Sequence, residues 1–334
     1  MRAIHFKTSL LAGAAAIAAG AAHAQAKWDL PTGYATSSFQ TENVQQFANE
    51  VDKGSGGKLK ITLHANGSLY KANEIKRAVQ TGQTQAGEFI LSGAANENAL
   101  FGVDSIPFLA DSYASAKKLS DVSRPYIEKA LASQGMKLLF TSPWPGQSLY
   151  SSKPVNAMHD LKGTKMRAYN PATSRIAQHV GAQPTTIQLA ELGQALATGT
   201  VENFLTSSAS GIENKLYESV KYFYSVNAWL PKNAVVVNKQ AFDALDKASQ
   251  EAVLKAAASA EERGWRMSEQ KDAEYLKELA ARGMKVSAPS EALRRELKAI
   301  GGQMTLEWLR SAGPDGHAII DAYRKQCTPR AVPR

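Results

Sequence analysis

The sequence contains very little cysteine: Cys327 is the only one among 334 residues. An intramolecular disulfide is therefore excluded, and the stability of the fold must come from packing. Cys327 directly precedes a short terminal segment, residues 328–334, that is rich in proline and arginine. Chain ends of this composition are commonly poorly ordered, so we expect Cys327 to be an unimportant residue of an irregular tail.

The motifs that usually carry catalysis are also missing. The histidines form no H-E-x-x-H pair of the kind that binds zinc, and no G-x-S-x-G segment provides a nucleophilic serine. The glycine-rich segment 54–57 is not followed by Gly-Lys-Ser/Thr, so it does not make a phosphate loop. We therefore expect neither an enzyme nor a metal site, and no cofactor.

The sequence has no block of like charge. The formal net charge is +9 at pH 7, and it becomes +7 when residues 1–24, which contain Arg2 and Lys7 but no acid, are removed. The remaining lysines and arginines are scattered among acidic residues along predicted helices. Such a mixed surface argues against nucleic acid as a partner and favours at most a weak attraction for small anions.

Long apolar runs are absent after residue 22. The one such run, from about residue 10 to residue 22, follows the basic residues Arg2 and Lys7 and ends in the small-residue sequence A-H-A at 22–24. It is shorter than the roughly 20 apolar residues that cross a bilayer. Residues 1–24 are therefore predicted to be a cleaved signal peptide, and the mature protein is expected in the periplasm.

Strands alternate with helices along the mature chain, which is typical of an α/β fold. The length that remains after cleavage, about 310 residues, is enough for two domains. Strands are predicted at residues 28–34, 59–64, 86–91, 137–142, 165–169 and 235–238, and helices at residues 40–53, 72–81, 112–133, 189–198 and 207–216. Residues 239–283 predict one long helix, or two in close succession around a turn near 241–246, with Gly283 as the C-cap.

Arg167 lies at the carboxyl end of a predicted strand, just before a helix. Asn170 supplies the N-cap of that helix and Pro171 suits its first position. Free backbone N–H groups at a helix start, together with a planar guanidinium, are well suited to a carboxylate. On spacing alone, a surface ion pair is the more common role of such an arginine.

The segment around Arg167 also resembles a known signature. Lys165 and Arg167 end a strand, Asn170 and Pro171 make a turn, and a helix leads to the turn VGAQP at residues 180–184. Together these features are similar to the signature segment of the DctP-type solute-binding proteins of TRAP transporters. Further segments match the family in the same order, at residues 57–61, 67–69, 105–109 and 195–202.

The resemblance implies an α/β, two-lobed periplasmic binding protein fold with a ligand cleft between the lobes and a long helix that spans both. Lobe I would comprise residues 27–143 plus 233–271, and lobe II residues 144–232 plus 272–327, followed by the tail 328–334. The implied function is an extracytoplasmic receptor that binds a small organic carboxylate and delivers it to the TRAP membrane subunits. The alternatives are an exported enzyme and a sensor-coupled receptor that act on small carboxylates.

Carried over by position, Arg167 matches the arginine that pairs with the ligand carboxylate in this family. Many members have a second arginine about twenty residues earlier, and that position falls at or near Gln147. The Asn-Pro pair of another family segment falls on Thr206 and Ser207. Both departures remove polar groups, so they favour a monocarboxylate over a sugar acid or a dicarboxylate.

Further candidates lie near strand ends, where ligands bind in open α/β sheets. Trp144 lies where the chain should first cross between lobes, and a purely packing role explains it equally well. The N-cap role of Asn170 alone would explain that residue. The remaining candidates are Phe39, Tyr34, Ser92 and Asn233. The aromatic residues favour an aromatic or 2-oxo/hydroxy monocarboxylate, and a small aliphatic acid is the alternative.

Overall fold

The computed structural model describes residues 25–327. The predicted signal peptide at 1–24 and the tail at 328–334 lie outside the described residues. None of the described helices is both long and apolar enough to span a bilayer.

Strands and helices alternate through most of the described chain. The strands are β1 (Ala26–Pro31), β2 (Leu59–His64), β3 (Ala86–Ile90), β4 (Met136–Pro143), β5 (Ser148–Ser151), β6 (Lys165–Ala168), β7 (Gln183–Thr186), β8 (Asn203–Thr206), β9 (Tyr222–Tyr224), β10 (Lys232–Asn238) and β11 (Lys285–Ser287). The α-helices are α1 (Phe39–Gly54), α2 (Ile75–Gln80), α3 (Tyr113–Ala132), α4 (Pro171–His179), α5 (Leu192–Ala197), α6 (Ser208–Glu213), α7 (Lys239–Asp243), α8 (Lys247–Ala281) and α9 (Glu291–Cys327).

The strands form two separate sheet systems, one in each lobe. In lobe I, β10 pairs antiparallel with both β3 and β4, while β1 and β2 form a parallel pair. A bridge between Thr32 and Glu88 joins the end of β1 to β3. In lobe II, six strands run in the order β11-β9-β5-β8-β6-β7. Because β10 follows the lobe II strands β5 to β9 in sequence, the chain returns to lobe I before α8 begins.

The predicted long helix is confirmed. After the short α7 and a turn, α8 has 35 residues, which corresponds to a length of about 52 Å. Its first part packs against α1 and β4 in lobe I, and its last part packs against α6 and β11 in lobe II. Gly264 permits the close approach, because a Cβ there would lie 2.4 Å from the Ser142 hydroxyl oxygen.

The connection between the lobes is built from adjoining backbone segments. β4 ends at Pro143, and the backbone N–H of the next residue, Trp144, donates to the carbonyl of Pro231 at 2.8 Å. β10 begins directly after Pro231, at Lys232. The ammonium group of Lys232 lies 3.0 Å from the Asp104 carboxylate, and both side chains are buried. A buried ion pair therefore fixes the start of the returning strand. The exact lobe boundaries stay a prediction.

The structure differs from expectation in lobe II, where β5, β7, β8 and β9 were not predicted, and again after residue 283. α9 has 37 residues with a break at Gly313, whose φ of 61° and ψ of −148° are not helical, and it was not predicted. Cys327 is the last residue of this helix and is exposed, so the expectation that it belongs to an irregular tail is wrong. The first strand ends at Pro31, before the predicted end at Tyr34, and α2 begins at Ile75, later than predicted.

A pair of adjacent glycines in α9 provides a test of its packing. A Cβ at Gly301 would lie 2.1 Å from the carbonyl oxygen of Pro107, whereas a Cβ at Gly302 would meet no atom within 4 Å. We expect Gly301→Ala to lower the free energy of unfolding by about 1–3 kcal/mol through overpacking. Gly302→Ala should instead raise it by up to about 1 kcal/mol through helix propensity. Urea denaturation measures both, and equal effects would show that α9 does not pack on Pro107.

Candidate ligand-binding site

A cavity of about 620 Å³ lies between the lobes. Six of the ten predicted site residues line it: Arg167, Thr206, Gln147, Trp144, Asn170 and Tyr34. The other four do not line it: Ser207, Ser92, Phe39 and Asn233. Each of these four contacts a residue that lines the cavity, as described below. The structure therefore brings most of the predicted residues together in one place, while their role in binding stays a prediction.

Among the described residues that line the cavity, Arg167 is the one buried arginine. It lies in β6, and its side chain is nearly inaccessible, with the residue 3% exposed. Its Nε donates to the carbonyl oxygen of Ile187 at 2.9 Å, and its guanidinium lies 5.2 Å from the centre of the Tyr169 ring. Among residues 25–327 no carboxylate pairs with it, so Arg167 does not form the surface ion pair that spacing alone would favour. Burial lowers the pKa of Arg167 to about 10, which leaves it charged at neutral pH.

Gln147 and Tyr169 support the arginine from below. The Tyr169 hydroxyl donates to Oε1 of Gln147 at 3.1 Å and accepts from the indole N–H of Trp229 at 3.3 Å. The amide nitrogen of Gln147 donates to the carbonyl of Pro145 at 3.1 Å. Both the oxygen and the nitrogen of the Gln147 side-chain amide are therefore hydrogen-bonded, the oxygen to the hydroxyl of the tyrosine whose ring faces Arg167.

Asn170 joins the two lobes. Its Oδ1 accepts from the backbone N–H of Thr173 at 2.8 Å, which confirms the predicted N-cap of α4. Its Nδ2 donates to the hydroxyls of Ser92 at 2.9 Å and Ser105 at 3.3 Å, both in lobe I. Ser92 follows β3 in a short 3₁₀ turn rather than ending the strand. It contributes to the site by holding Asn170 and not by lining the cavity.

Of the two neighbouring hydroxyl residues at the end of β8, Thr206 lines the cavity and Ser207 does not. The Ser207 hydroxyl accepts from the backbone N–H of Ser210 at 3.1 Å as the N-cap of α6. Capping residues of this kind satisfy an otherwise free N–H at the helix start. The hydroxyl of Ser207 is therefore used by the fold.

An aromatic cluster walls the lobe I side. The ring of Trp144 makes edge contacts with Tyr34, at 5.0 Å between centroids, and with Phe39, at 5.4 Å. Tyr34 and Trp144 face the cavity, while Phe39 is buried behind them. Asn233 accepts at Oδ1 from the Trp144 indole N–H at 2.9 Å and from the Tyr34 hydroxyl at 3.0 Å. Asn233 therefore holds both rings in place.

Glu88 anchors this cluster. It is 0% exposed and lies on β3, where it forms part of the cavity floor. One carboxylate oxygen accepts from the Asn233 amide at 2.9 Å and the other from the Thr32 hydroxyl at 2.6 Å. Burial raises the pKa of Glu88 to about 7, although both hydrogen bonds act in the opposite direction.

Sequence reasoning missed Tyr169 and Glu88. A signal existed for each, since Tyr169 follows Arg167 by two residues and Glu88 is the only charged residue of the apolar segment 86–91. An acid inside a buried strand is rare unless a partner holds it. The partners Asn233 and Thr32 are distant in sequence, so only the fold shows them. Among residues 25–327 no group of histidines, cysteines and acids is arranged to hold a metal ion.

Comparison with known proteins identifies the family. Residues 32–310 match the DctP family model of bacterial extracellular solute-binding proteins, family 7. The chain belongs to this family. The family model covers both lobes, including Arg167 and the cavity. Family 7 proteins are extracytoplasmic solute receptors rather than enzymes, and they work with TRAP membrane subunits.

Solved structures of family 7 receptors share the fold. DctP6 of Bordetella pertussis, an extracytoplasmic solute receptor binding pyroglutamic acid, is 52% identical with a TM-score of 0.89 over 90% of this chain and 100% of that chain. A TRAP solute-binding protein from an unidentified microbe of a marine metagenome, specific for pyroglutamate, is 43% identical with a TM-score of 0.89 over 90% and 99% of the two chains. The predicted two-lobed α/β fold is confirmed.

The chain is also similar to a periplasmic binding protein of lower sequence identity. The ectoine/5-hydroxyectoine-binding periplasmic protein UehA of Ruegeria pomeroyi is 24% identical over 93% of this chain and 94% of its own. Proteins similar to this chain therefore bind different small molecules.

The raised pKa of Glu88 predicts a pH-dependent stability. The usual pKa is 4.5 and the folded value is about 7, so the folded state holds its proton more tightly than the unfolded state. The contribution of Glu88 is therefore fully present below about pH 4.5 and is lost as the pH rises through 7. Between these limits we expect the free energy of unfolding to fall by about 3 kcal/mol relative to Glu88→Gln. Urea denaturation of both ligand-free proteins from pH 4.5 to 8 tests this, and parallel curves would contradict it.

Proposed function

We propose that this protein is the extracytoplasmic receptor of a TRAP transporter for a small cyclic monocarboxylate, with pyroglutamate as the best candidate. The observation that carries the proposal is the buried guanidinium of Arg167, which is charged and has no carboxylate partner among residues 25–327. A ligand carboxylate supplies that partner and can be held by two parallel hydrogen bonds. The ligand would then be delivered to the membrane subunits.

The surroundings of Arg167 support one carboxylate rather than two. Gln147 stands where a second arginine would serve another acidic group, and its amide is already bound to Tyr169 and Pro145. Two other cations of the cavity wall have carboxylate partners: Lys76 pairs with Glu97, and Arg175 pairs with Glu307. The third, Lys71, is exposed to solvent and is not a buried cation like Arg167. A second ligand carboxylate would therefore be desolvated without a free partner beside Arg167, which is costly.

Similarity to characterised receptors supports the identity of the acid. Three solved structures that bind pyroglutamate are 52%, 42% and 43% identical to this chain, and each aligns over about nine-tenths of it. Pyroglutamate has one carboxylate on a compact five-membered lactam ring. It therefore satisfies the requirement for a single negative charge that Arg167 and Gln147 impose.

An aromatic monocarboxylate is the second candidate. It is favoured by Trp144 and Tyr34, which line the cavity and can stack on a ring. The polar edges of both side chains are hydrogen-bonded to Asn233, which leaves their ring surfaces for a ligand. A flat lactam ring can use the same surface, so this feature alone does not separate the two candidates.

A calorimetric titration with five acids tests the proposed ligand class. The panel is pyroglutamate, phenylglyoxylate, pyruvate, succinate and glucuronate. We expect pyroglutamate to bind most tightly and phenylglyoxylate and pyruvate next, because succinate carries a second charge and glucuronate carries several hydroxyls that need polar partners. Tighter binding of phenylglyoxylate would favour the aromatic candidate. Tighter binding of succinate than of every monocarboxylate would contradict the one-carboxylate site, and tighter binding of glucuronate than of pyroglutamate would contradict the proposed ligand.

Substitution of Arg167 tests the residue that carries the proposal. Removal of one partner of a desolvated charge pair costs about 2–5 kcal/mol. We therefore expect Arg167→Ala to weaken pyroglutamate binding by at least about 30-fold. Arg167→Lys should also weaken it, because an ammonium group loses the two parallel hydrogen bonds. Arg282→Ala, at an exposed position paired with Glu278, is the matched control and should bind normally.

The same variants separate binding from folding. Since Arg167 is buried without a counter-ion, Arg167→Met removes a charge that the empty protein must desolvate. We expect the ligand-free variant to melt no lower than the unaltered protein while it fails to gain stability from pyroglutamate. Near-normal affinity in the alanine variant would reject the assignment of Arg167.

A further inference from the structure

We propose that Tyr34 is a specificity-determining residue whose oxygen acts only as a hydrogen-bond acceptor, so that the site selects acids that carry an N–H or O–H donor beside the carboxylate. This inference rests on the proposed function and names a second subsite of the same cavity. It follows from the direction of each hydrogen bond in the network that links Glu88 to Tyr34 through Asn233.

Trp144 is the first residue that fixes the direction of these hydrogen bonds. An indole nitrogen is a donor and cannot accept. Its N–H lies 2.9 Å from the side-chain amide of Asn233, so the atom it meets must be the amide oxygen. The opposite assignment would bring two donors together in a buried place. Trp144 therefore determines which way the Asn233 amide faces.

Glu88 is the second residue that fixes the orientation of the Asn233 amide. Its carboxylate lies 2.9 Å from the amide nitrogen of Asn233, at the other end of the same group. An ionised carboxylate only accepts, so it requires the nitrogen there. When Glu88 is protonated, its proton can point to the hydroxyl of Thr32, 2.6 Å away, and the bond from Asn233 is kept. Trp144 and Glu88 thus impose the same orientation on Asn233.

The orientation of Asn233 fixes the role of Tyr34. The Tyr34 oxygen lies 3.0 Å from Oδ1 of Asn233, which can only accept, so the phenolic proton is donated there. Burial, together with the nearby Glu88, raises the pKa of Tyr34, so the phenol keeps that proton at neutral pH. With its proton committed, the Tyr34 oxygen can offer the cavity only a lone pair.

The cavity therefore presents opposite hydrogen-bonding roles to the two ends of a ligand. Arg167 is a donor without a carboxylate partner, and Tyr34 is an acceptor without a spare proton, and both line the same space. A lactam acid meets both requirements, since its carboxylate accepts from Arg167 and its ring N–H donates to Tyr34. A lactone acid of the same shape presents a ring oxygen and meets only the first.

The test compares these two ligands on two proteins. Pyroglutamate and 5-oxotetrahydrofuran-2-carboxylate, its lactone analogue, are titrated by calorimetry into the unaltered protein and into Tyr34→Phe. In the unaltered protein we expect the lactam to bind roughly five- to hundredfold more tightly, the usual effect of an acceptor left unpaired. In Tyr34→Phe the ratio should fall to near one, mainly through weaker binding of the lactam.

Two controls make the result specific. Tyr126→Phe removes a hydroxyl that makes no hydrogen bond to a described residue and lies outside the cavity, and it should leave the ratio unchanged. Thermal melting without ligand checks that Tyr34→Phe is folded, which is expected because Trp144 still holds Asn233.

The possible outcomes separate this inference from the proposed function. Tight binding of both ligands with a ratio near one in the unaltered protein would reject the Tyr34 subsite and leave the Arg167 site in place. A high ratio that persists in Tyr34→Phe would also reject it, because another residue would then read the N–H. No binding of either ligand to the unaltered protein would reject the proposed ligand and this subsite together.

Discussion

The burial of one unpaired positive charge is the constraint on which the rest of this site depends. Desolvation of a guanidinium costs several kcal/mol unless a partner offsets it. Among the described residues, the guanidinium of Arg167 contacts a carbonyl oxygen and the face of a tyrosine ring. These contacts stabilise the cation partly and leave most of its hydrogen-bonding capacity unused. If Arg167 holds the ligand as proposed, a bound carboxylate would offset this desolvation penalty, and the offset would contribute to the binding free energy.

Most polar groups around the arginine are committed to other protein groups, and this commitment gives the site its rigidity. Gln147 holds Tyr169, Asn170 ties the start of α4 to lobe I through Ser92, and Asn233 holds the rings of the aromatic wall. A side chain with a fixed hydrogen-bond partner cannot turn to suit a different ligand. The selectivity of such a cleft then arises from the few atoms that are left unsatisfied, and not from the number of polar residues around it.

Local features of this protein could be read from the sequence, whereas pairings between distant segments could not. The N-cap and proline at Asn170 and Pro171 predicted the start of α4, and the alanine-rich stretch predicted α8, because these signals lie within one turn or one helix. The position of β10 between β3 and β4 depends on strands far apart in the chain, and no local pattern encodes it. The same holds for Tyr34 and Asn233, which are 199 residues apart and meet only in the folded protein. Ser207 was misleading because a serine that caps a helix and a serine that faces a ligand have the same local sequence.

α8 has a mechanical consequence for the movement of the two lobes. Since one helix packs on both, and the strand crossings provide the other connections, the lobes are not joined by a freely jointed hinge. Rotation of one lobe must be absorbed as curvature along the helix, where each turn deforms slightly and the backbone hydrogen bonds persist. The helix would then resist bending elastically, with a restoring force that grows with the angle of rotation. Its stiffness would influence both how wide the cleft is without ligand and how quickly it reopens after the ligand is released.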